Sequence, residues 1–145
     1  VIVRAATPDD LPAILEIDAD NPFAWSEASH TSAFDQAHQR CLVAQESAHV
    51  LGYAWISAVP TIGEGELLDV CVRAAARRRG VAAALLHAAT DVWRSGGVGE
   101  VFLEVATDNT GAIALYRQFG WTDVAVRRRY YRDGRDALIM TRPLP

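Results

Sequence analysis

Two short stretches of this chain carry residue types and spacings suited to chemistry. The first is Arg77-Arg78-Arg79-Gly80-Val81-Ala82, which joins a strand-like run ending at Val72 to the strongest helical pattern in the sequence. A helix N-terminus presents unpaired N–H groups and about half a positive charge, so it favours a phosphate. Three consecutive arginines strengthen that field, and Gly80 and Ala82 remove side-chain bulk where a ligand would approach the backbone. A solvated basic turn before a helix would look similar. The second stretch is Val101-Phe102-Leu103-Glu104-Val105, where a carboxylate interrupts an apolar strand and needs a reason to be there; an outward-facing strand residue is the plainer one.

Other constellations exclude more than they suggest. There is no lysine, so the Walker A pattern is absent, and no G-x-G-x-x-G follows a strand, which argues against ordinary nucleotide kinases and dehydrogenases. Cys41 and Cys71 are too widely spaced for a zinc or dithiol motif and fit small buried hydrophobes in a reducing compartment. His30, His38, His49 and His87 form no metal-ligand spacing, and no metal is expected. Arg127 to Arg132 interleaves arginines with Tyr130 and Tyr131, as a nucleic-acid stripe would. The chain is nevertheless acidic, 18 Asp and Glu against 14 Arg with net charge −4, which opposes a general polyanion binder. Neither nucleic acid nor membrane is expected as a partner.

The elements that must position these residues follow from pattern. At 145 residues, half of them hydrophobic and 22% charged, the chain suits one globular domain, residues 1–145. A strand at Val1-Ile2-Val3 precedes Thr7-Pro8-Asp9-Asp10, a helix start with Leu11, Ile14, Leu15 and Ile17 at helical spacing. Ser26 suits the cap of a short second helix. Strand runs follow at about 40–45 and 50–58, then a Pro/Gly turn from Pro60 to Gly65 and a strand over 66–72. A helix is expected from Gly80 to about Ser95, a strand over 100–105, a helix from about Gly111 to Phe119, and closing strands at about 121–128 and 136–141. The order is βααβββαβαββ, an α/β mixed sheet with helices on both faces. No basic leader followed by an apolar segment and no run of membrane-spanning length is seen, so the expectation is cytoplasmic; Val1 is not Met, which leaves room for a trimmed chain.

Arg77-Arg78-Arg79-Gly80-Val81-Ala82, preceded by Leu68-Asp69-Val70-Cys71-Val72, resembles the acetyl-CoA signature of the GCN5-related N-acetyltransferase (GNAT) family, Gln/Arg-x-x-Gly-x-Gly/Ala. Leu103-Glu104-Val105 with Thr107-Asp108-Asn109, then Ala112 to Tyr116, then Phe119-Gly120-Trp121, resembles the family's second half. The run Arg127-Arg128-Arg129-Tyr130-Tyr131 and the closing Asp136 to Met140 resemble its RimI-like branch, which acetylates protein N-termini, that of a ribosomal protein among them. Phe23-Ala24-Trp25-Ser26 resembles that branch's Phe-Pro-Trp-Ser, with Ala24 in the proline position.

The resemblance implies a central, mostly antiparallel seven-stranded sheet with one splayed strand pair. It implies that Val70, Cys71 and Val72 pair with the pantetheine arm of acetyl-CoA, and that an amide near Val70 or Cys71 meets the thioester oxygen. It places the diphosphate on the turn Arg77, Arg78, Arg79, Gly80, Val81, Ala82 and Ala83, with Asn109 reaching the same co-substrate unless it is a plain cap. Direct transfer to an amine follows, with Glu104 as base and Tyr116 as acid; a phenol is protonated at pH 7, and an α-amine, with a reference pKa of about 7.7 to 8.0, needs little help to deprotonate. Trp25, Tyr130 and Tyr131 are the expected acceptor wall, although Trp25 suits the core equally. A relay of the acetyl group through Cys71 is the minor route, since no histidine stands near it in sequence. The reading is therefore an N-acetyltransferase acting on a peptide or protein N-terminus, as a monomer or weak homodimer. A small-molecule amine acetyltransferase and a non-catalytic acyl-CoA-binding or interaction module are its alternatives.

Overall fold

The computed structural model describes residues 1–145. The elements run β1 (Ile2–Ala5), α1 (Leu11–Asp18), α2 (Glu27–Phe34), β2 (Gln39–Glu46), β3 (His49–Val59), β4 (Glu64–Val72), α3 (Val81–Ser95), β5 (Glu100–Ala106), α4 (Thr110–Gln118), β6 (Thr122–Arg127) and β7 (Ala137–Pro143). This is the order expected from pattern. The seven strands form one sheet, β1-β2-β3-β4-β5-β7-β6, in which only β4 and β5 run parallel.

Two apolar layers flank it. On one face α1 and α2 contribute Ile14, Ile17 and Ala33 against Cys41, Val43, Tyr53 and Trp55. On the other face α3 contributes Val81, Leu85, Leu86, Ala89 and Trp93, spaced three and four apart, and α4 adds Ile113 and Tyr116. Alternation along β2 and β3 divides their residues between the layers.

Two register breaks decide which side chains enter which layer. Leu51 is the extra residue of β3 against β2, and Leu68 the extra residue of β4 against β3, because Trp55 pairs with Asp69 but Ile56 with Leu67. The bulge at Leu68 turns Asp69 and Cys71 to the α1/α2 face and Val70 and Val72 to the α3 face. Gly52 lets the start of α3 press onto this region: a Cβ there would stand 2.9 Å from the Cys71 carbonyl oxygen and 3.1 Å from Val81 Cγ1.

Small departures from the pattern have local causes. Thr7 and Asp10 form a capping box over a single 3₁₀ turn, Pro8–Asp10, so the α-helix proper starts at Leu11 rather than at the proline. Pro60–Ile62 makes another 3₁₀ turn closed by Gly63 at φ 68°, which lets β4 begin at Glu64. Trp121 belongs to the core instead of opening the following strand.

Candidate active site

The pairing of β4 with β5 stops at Leu67 opposite Leu103. Beyond it Leu68–Val72 keep β3 on one side and have no strand on the other, while Glu104–Ala106 pair only with β7. The two strands splay, and the gap opens into a cleft of about 500 Å³ lined by Val70, Asp69, Glu66, Glu104, Asn109 and Tyr116 together with Trp25, Tyr130 and Tyr131.

Hydrogen-bond phase decides which amides face the gap. Arg73 N–H donates to the Leu51 carbonyl, so the hydrogen-bonded pairs of β3 and β4 are Leu51 with Arg73, Tyr53 with Cys71 and Trp55 with Asp69. The main-chain groups of Val70 and Val72 therefore point away from β3 and into the gap. Cys71 does not fit the role given to it alongside them: its amide belongs to the β3 ladder, and its thiol sits on the α1/α2 face, where burial pushes it up to about 12.

Past Val72 the chain turns through Arg77 to Gly80. Arg78 at φ 63° and Gly80 at φ 78° are both left-handed, and no side chain caps α3. The first amides of a 15-residue helix are left without a side-chain acceptor, and nothing lies within 4 Å of a Cβ added at Gly80, so the approach is open. Arg79 turns to Glu46, at 2.9 Å, while Arg77 stands near enough to Cys71 to favour its thiolate. These residues lie outside the cleft lining and follow the free edge of β4 in the chain. Asn109 both lines the cleft and caps α4, its Oδ1 accepting from the Ala112 N–H at 3.4 Å.

The opposite side is built from side chains. Glu66 pairs with Phe102, two residues from Glu104, so both carboxylates project from the same face of the sheet. Glu104 is 3.7 Å from the Arg127 guanidinium. Closeness to Glu104 raises the Tyr130 phenol, and burial raises that of Tyr131. Burial, then proximity to Glu104, raises the Glu66 carboxyl. Tyr116, almost entirely buried, is pushed well above the usual phenol range by that burial and keeps its proton throughout the working range. Trp25 does two jobs: it lines the cleft and stacks on Trp55 with ring centroids 6.0 Å apart.

Behind this wall runs a buried polar chain. Trp55 Nε1 donates to His30 Nδ1 at 3.1 Å, His30 Nε2 meets Asp18 Oδ2 at 2.8 Å, and Tyr53 Oη stands 2.6 Å from Asp18 Oδ1 and 2.9 Å from Asp69 Oδ2. An indole N–H only donates, so His30 Nδ1 accepts and the imidazole proton lies on Nε2, facing Asp18. Asp69 closes the chain at the cleft, and burial moves its carboxyl up to about 6.

The structure thus gathers Val70, Glu104, Asn109, Tyr116, Trp25, Tyr130 and Tyr131 around one cleft, while Val72 and the turn from Arg77 to Ala83 lie outside its lining. Sequence reasoning missed Asp69, Glu66 and Arg135. Asp69 carries the same signal as Glu104, a carboxylate inside an otherwise apolar strand. Glu66 sits at the beginning of its strand run and Arg135 in the connector to β7, where charge is ordinary.

Comparison with known proteins agrees with this geometry. Residues 11–121 match the model of the acetyltransferase (GNAT) family. The chain is 37% identical to the N-alpha-acetyltransferase RimI of Mycobacterium tuberculosis, covering 98% of this chain and 92% of that one. It is 33% identical to the [ribosomal protein bS18]-alanine N-acetyltransferase of Escherichia coli strain K12, covering 93% and 92%. The crystal structure of the E. coli ribosomal-protein-S18-alanine N-acetyltransferase superimposes with a TM-score of 0.87 at 30% identity, over 99% of this chain and 93% of that chain.

Proposed function

This chain belongs to the GNAT acetyltransferase family, and from that premise we propose that it transfers the acetyl group of acetyl-CoA to the N-terminal α-amine of a protein, with Glu104 and Tyr116 as its proton-handling groups. The observation that carries the reading is the gap itself: unpaired main chain of β4 on one side, and on the other a carboxylate and a phenol that reach the same 500 Å³ cleft.

The two sides have different tasks. Val70 and Val72 offer strand-like hydrogen bonds to the pantetheine arm, and the uncapped start of α3 takes the diphosphate on its amides. The acceptor comes from the α1/α2 face, where Glu66, Asp69 and Glu104 make the surroundings acidic and so favour an ammonium. Glu104 takes a proton from that ammonium, directly or through one water, and the freed lone pair attacks the thioester carbon. The Val70 N–H faces the gap where negative charge develops on the carbonyl oxygen, an electrostatic role worth a few kcal/mol in comparable sites. As the C–S bond breaks, Tyr116 presents its O–H to the departing sulfur. Trp25, Tyr130 and Tyr131 flank the acceptor's path.

A cytoplasmic ribosomal protein is the first acceptor to try, given what the E. coli relative is named for. The decisive assay incubates the enzyme with acetyl-CoA and short peptides varied at their first residues, beside polyamines, following thiol release and peptide mass. The expected result is acetylation confined to free peptide N-termini. The chain has no lysine, so self-acetylation adds little background. Polyamine turnover without peptide turnover would overturn the acceptor class, and no turnover with any amine would overturn the enzymatic reading.

A further inference from the structure

The buried chain ending at Asp69 moves no proton in the acetyl transfer, yet it reaches the cleft on the acceptor's side. Tyr53 has one hydroxyl proton and two carboxylate neighbours, Asp18 at 2.6 Å and Asp69 at 2.9 Å. Asp18 already receives the His30 Nε2–H, and His30 holds no second proton because Trp55 donates to its other nitrogen. No arginine balances the pair, and Asp69 takes part in none of the molecule's ion pairs. The other two carboxylates of the cleft differ. Glu104 has Arg127 beside it, and Glu66, although its carboxyl is partly desolvated in the cleft, keeps an exposed surface. A half-buried carboxylate without a cation is rare in a folded protein unless a ligand supplies one.

We propose that Asp69 is the seat of the acceptor's α-ammonium: its ionised carboxylate, steered by Tyr53, supplies the counter-charge that holds the cationic N-terminus beside Glu104 before the proton is removed. This rests on the N-terminal acetyltransferase reading and adds a binding residue to it. Asp69 is a positioning residue here, and proton removal stays with Glu104. A neutral acetylated N-terminus gains nothing from the seat, so product leaves more readily than substrate.

The titratable groups that face Asp69 are Asp18 from α1, His30 from α2, Cys41 from β2, Tyr53 from β3, Cys71 on its own strand and Tyr116 from α4. Between pH 5 and 7 a free α-amine stays almost fully protonated, so its own titration does not enter.

The test titrates the enzyme–CoA complex calorimetrically with the peptide that releases thiol fastest among those varied at their first residues, and with its Nα-acetylated twin, at pH 5, 6 and 7. Asp69 titrates near 6, so wild-type enzyme is expected to bind the free-amine peptide about ten-fold more weakly at pH 5 than at pH 7 and to bind the twin equally at all three. Asp69→Asn keeps a donor for the Tyr53 oxygen and should fold. It is expected to bind the free-amine peptide about ten-fold more weakly at pH 7, with the change between pH 5 and 7 largely lost, a remainder of it belonging to Glu66, and with acetyl-CoA affinity within about two-fold of wild type. Tyr53→Phe removes the hydrogen bond that favours ionised Asp69, so the pH limb should move upward, a change that mere loosening of the strand would not produce. A pH limb as steep in Asp69→Asn as in wild type, or equal affinity of that variant and wild type at pH 7, would overturn the proposal while leaving the acetyltransferase reading intact. Failure of every peptide to be acetylated would instead refute that reading.

Discussion

The two sides of the β4/β5 gap are built from different materials. Toward α3 the groups offered to a ligand are main-chain ones: the unpaired edge of Val70 and Val72, the left-handed turn at Arg78 and Gly80, and the uncapped amides of α3. Toward α1 and α2 they are side chains, Glu66, Asp69 and Glu104 with Trp25, Tyr130 and Tyr131. A main-chain site recognises an invariant ligand through shape and backbone hydrogen bonds and tolerates changes in side chain. A side-chain site can be retuned one residue at a time. One face therefore suits a co-substrate that never changes, and the other an acceptor whose sequence selects the partner.

The sharpest way to break this contrast is on the side-chain face. Glu104→Gln is expected to lower kcat/KM for a peptide about 100- to 1,000-fold at pH 7, the range of a lost general base. The deficit should shrink as pH rises through about 8, because the α-amine then deprotonates unaided. A pH–rate profile for both enzymes checks this, and a loss constant with pH would move proton removal elsewhere. Tyr116→Phe comes next, with kcat down about 10- to 100-fold and the acetyl-CoA dissociation constant unchanged. An altered dissociation constant would place the phenol in binding rather than in departure of the thiol.

On the main-chain face the expected loss is smaller and of another kind. Gly80 stands at φ 78° with open space around it, so Gly80→Val both strains the turn and crowds the approach to the α3 amides. The KM for acetyl-CoA should rise about ten-fold with kcat nearly unchanged, and a truncated acetyl thioester lacking the diphosphate should be turned over equally by both enzymes. Equal impairment with the truncated thioester would mean that the turn shapes the reacting centre, and the division between faces would fail.

How much of this was legible in the sequence follows the same division. Element order came through because α1 and α3 repeat apolar residues at spacings of three and four, Ser26 and Asn109 cap α2 and α4 as their types suggest, and Gly96 and Gly120 close α3 and α4. The turn proposed for the diphosphate stood out because Gly80 and the arginines are unusual residues in an unusual place. The bulge at Leu68 was not, since an extra residue in one strand is a property of pairing, and nothing in Leu67-Leu68-Asp69 marks which leucine is extra. Without the bulge, Asp69 would share a face with Leu67 and point into the α3 layer. Its setting at the cleft, and the buried company of Asp18, His30 and Tyr53, depend on contacts between residues far apart in the chain.

Cys71 shows how that hidden register changes a chemical conclusion. By position it lies between two residues whose main chain faces the gap, and a thiol there invites a relay in which the acetyl group first forms a thioester with the protein. The hydrogen-bond phase turns its amide to Tyr53 instead, and the burial that pushes its thiol up to about 12 leaves almost no thiolate at neutral pH. Asp18 and Asp69 raise it further, and no histidine is hydrogen-bonded to it. Cys71→Ser should therefore keep kcat within about two-fold of wild type, and initial velocities varied in both substrates should give intersecting rather than parallel lines. Parallel lines, or a protein-bound acetyl group trapped before peptide is added, would make Cys71 part of the chemistry and would replace direct transfer by a relay through the protein.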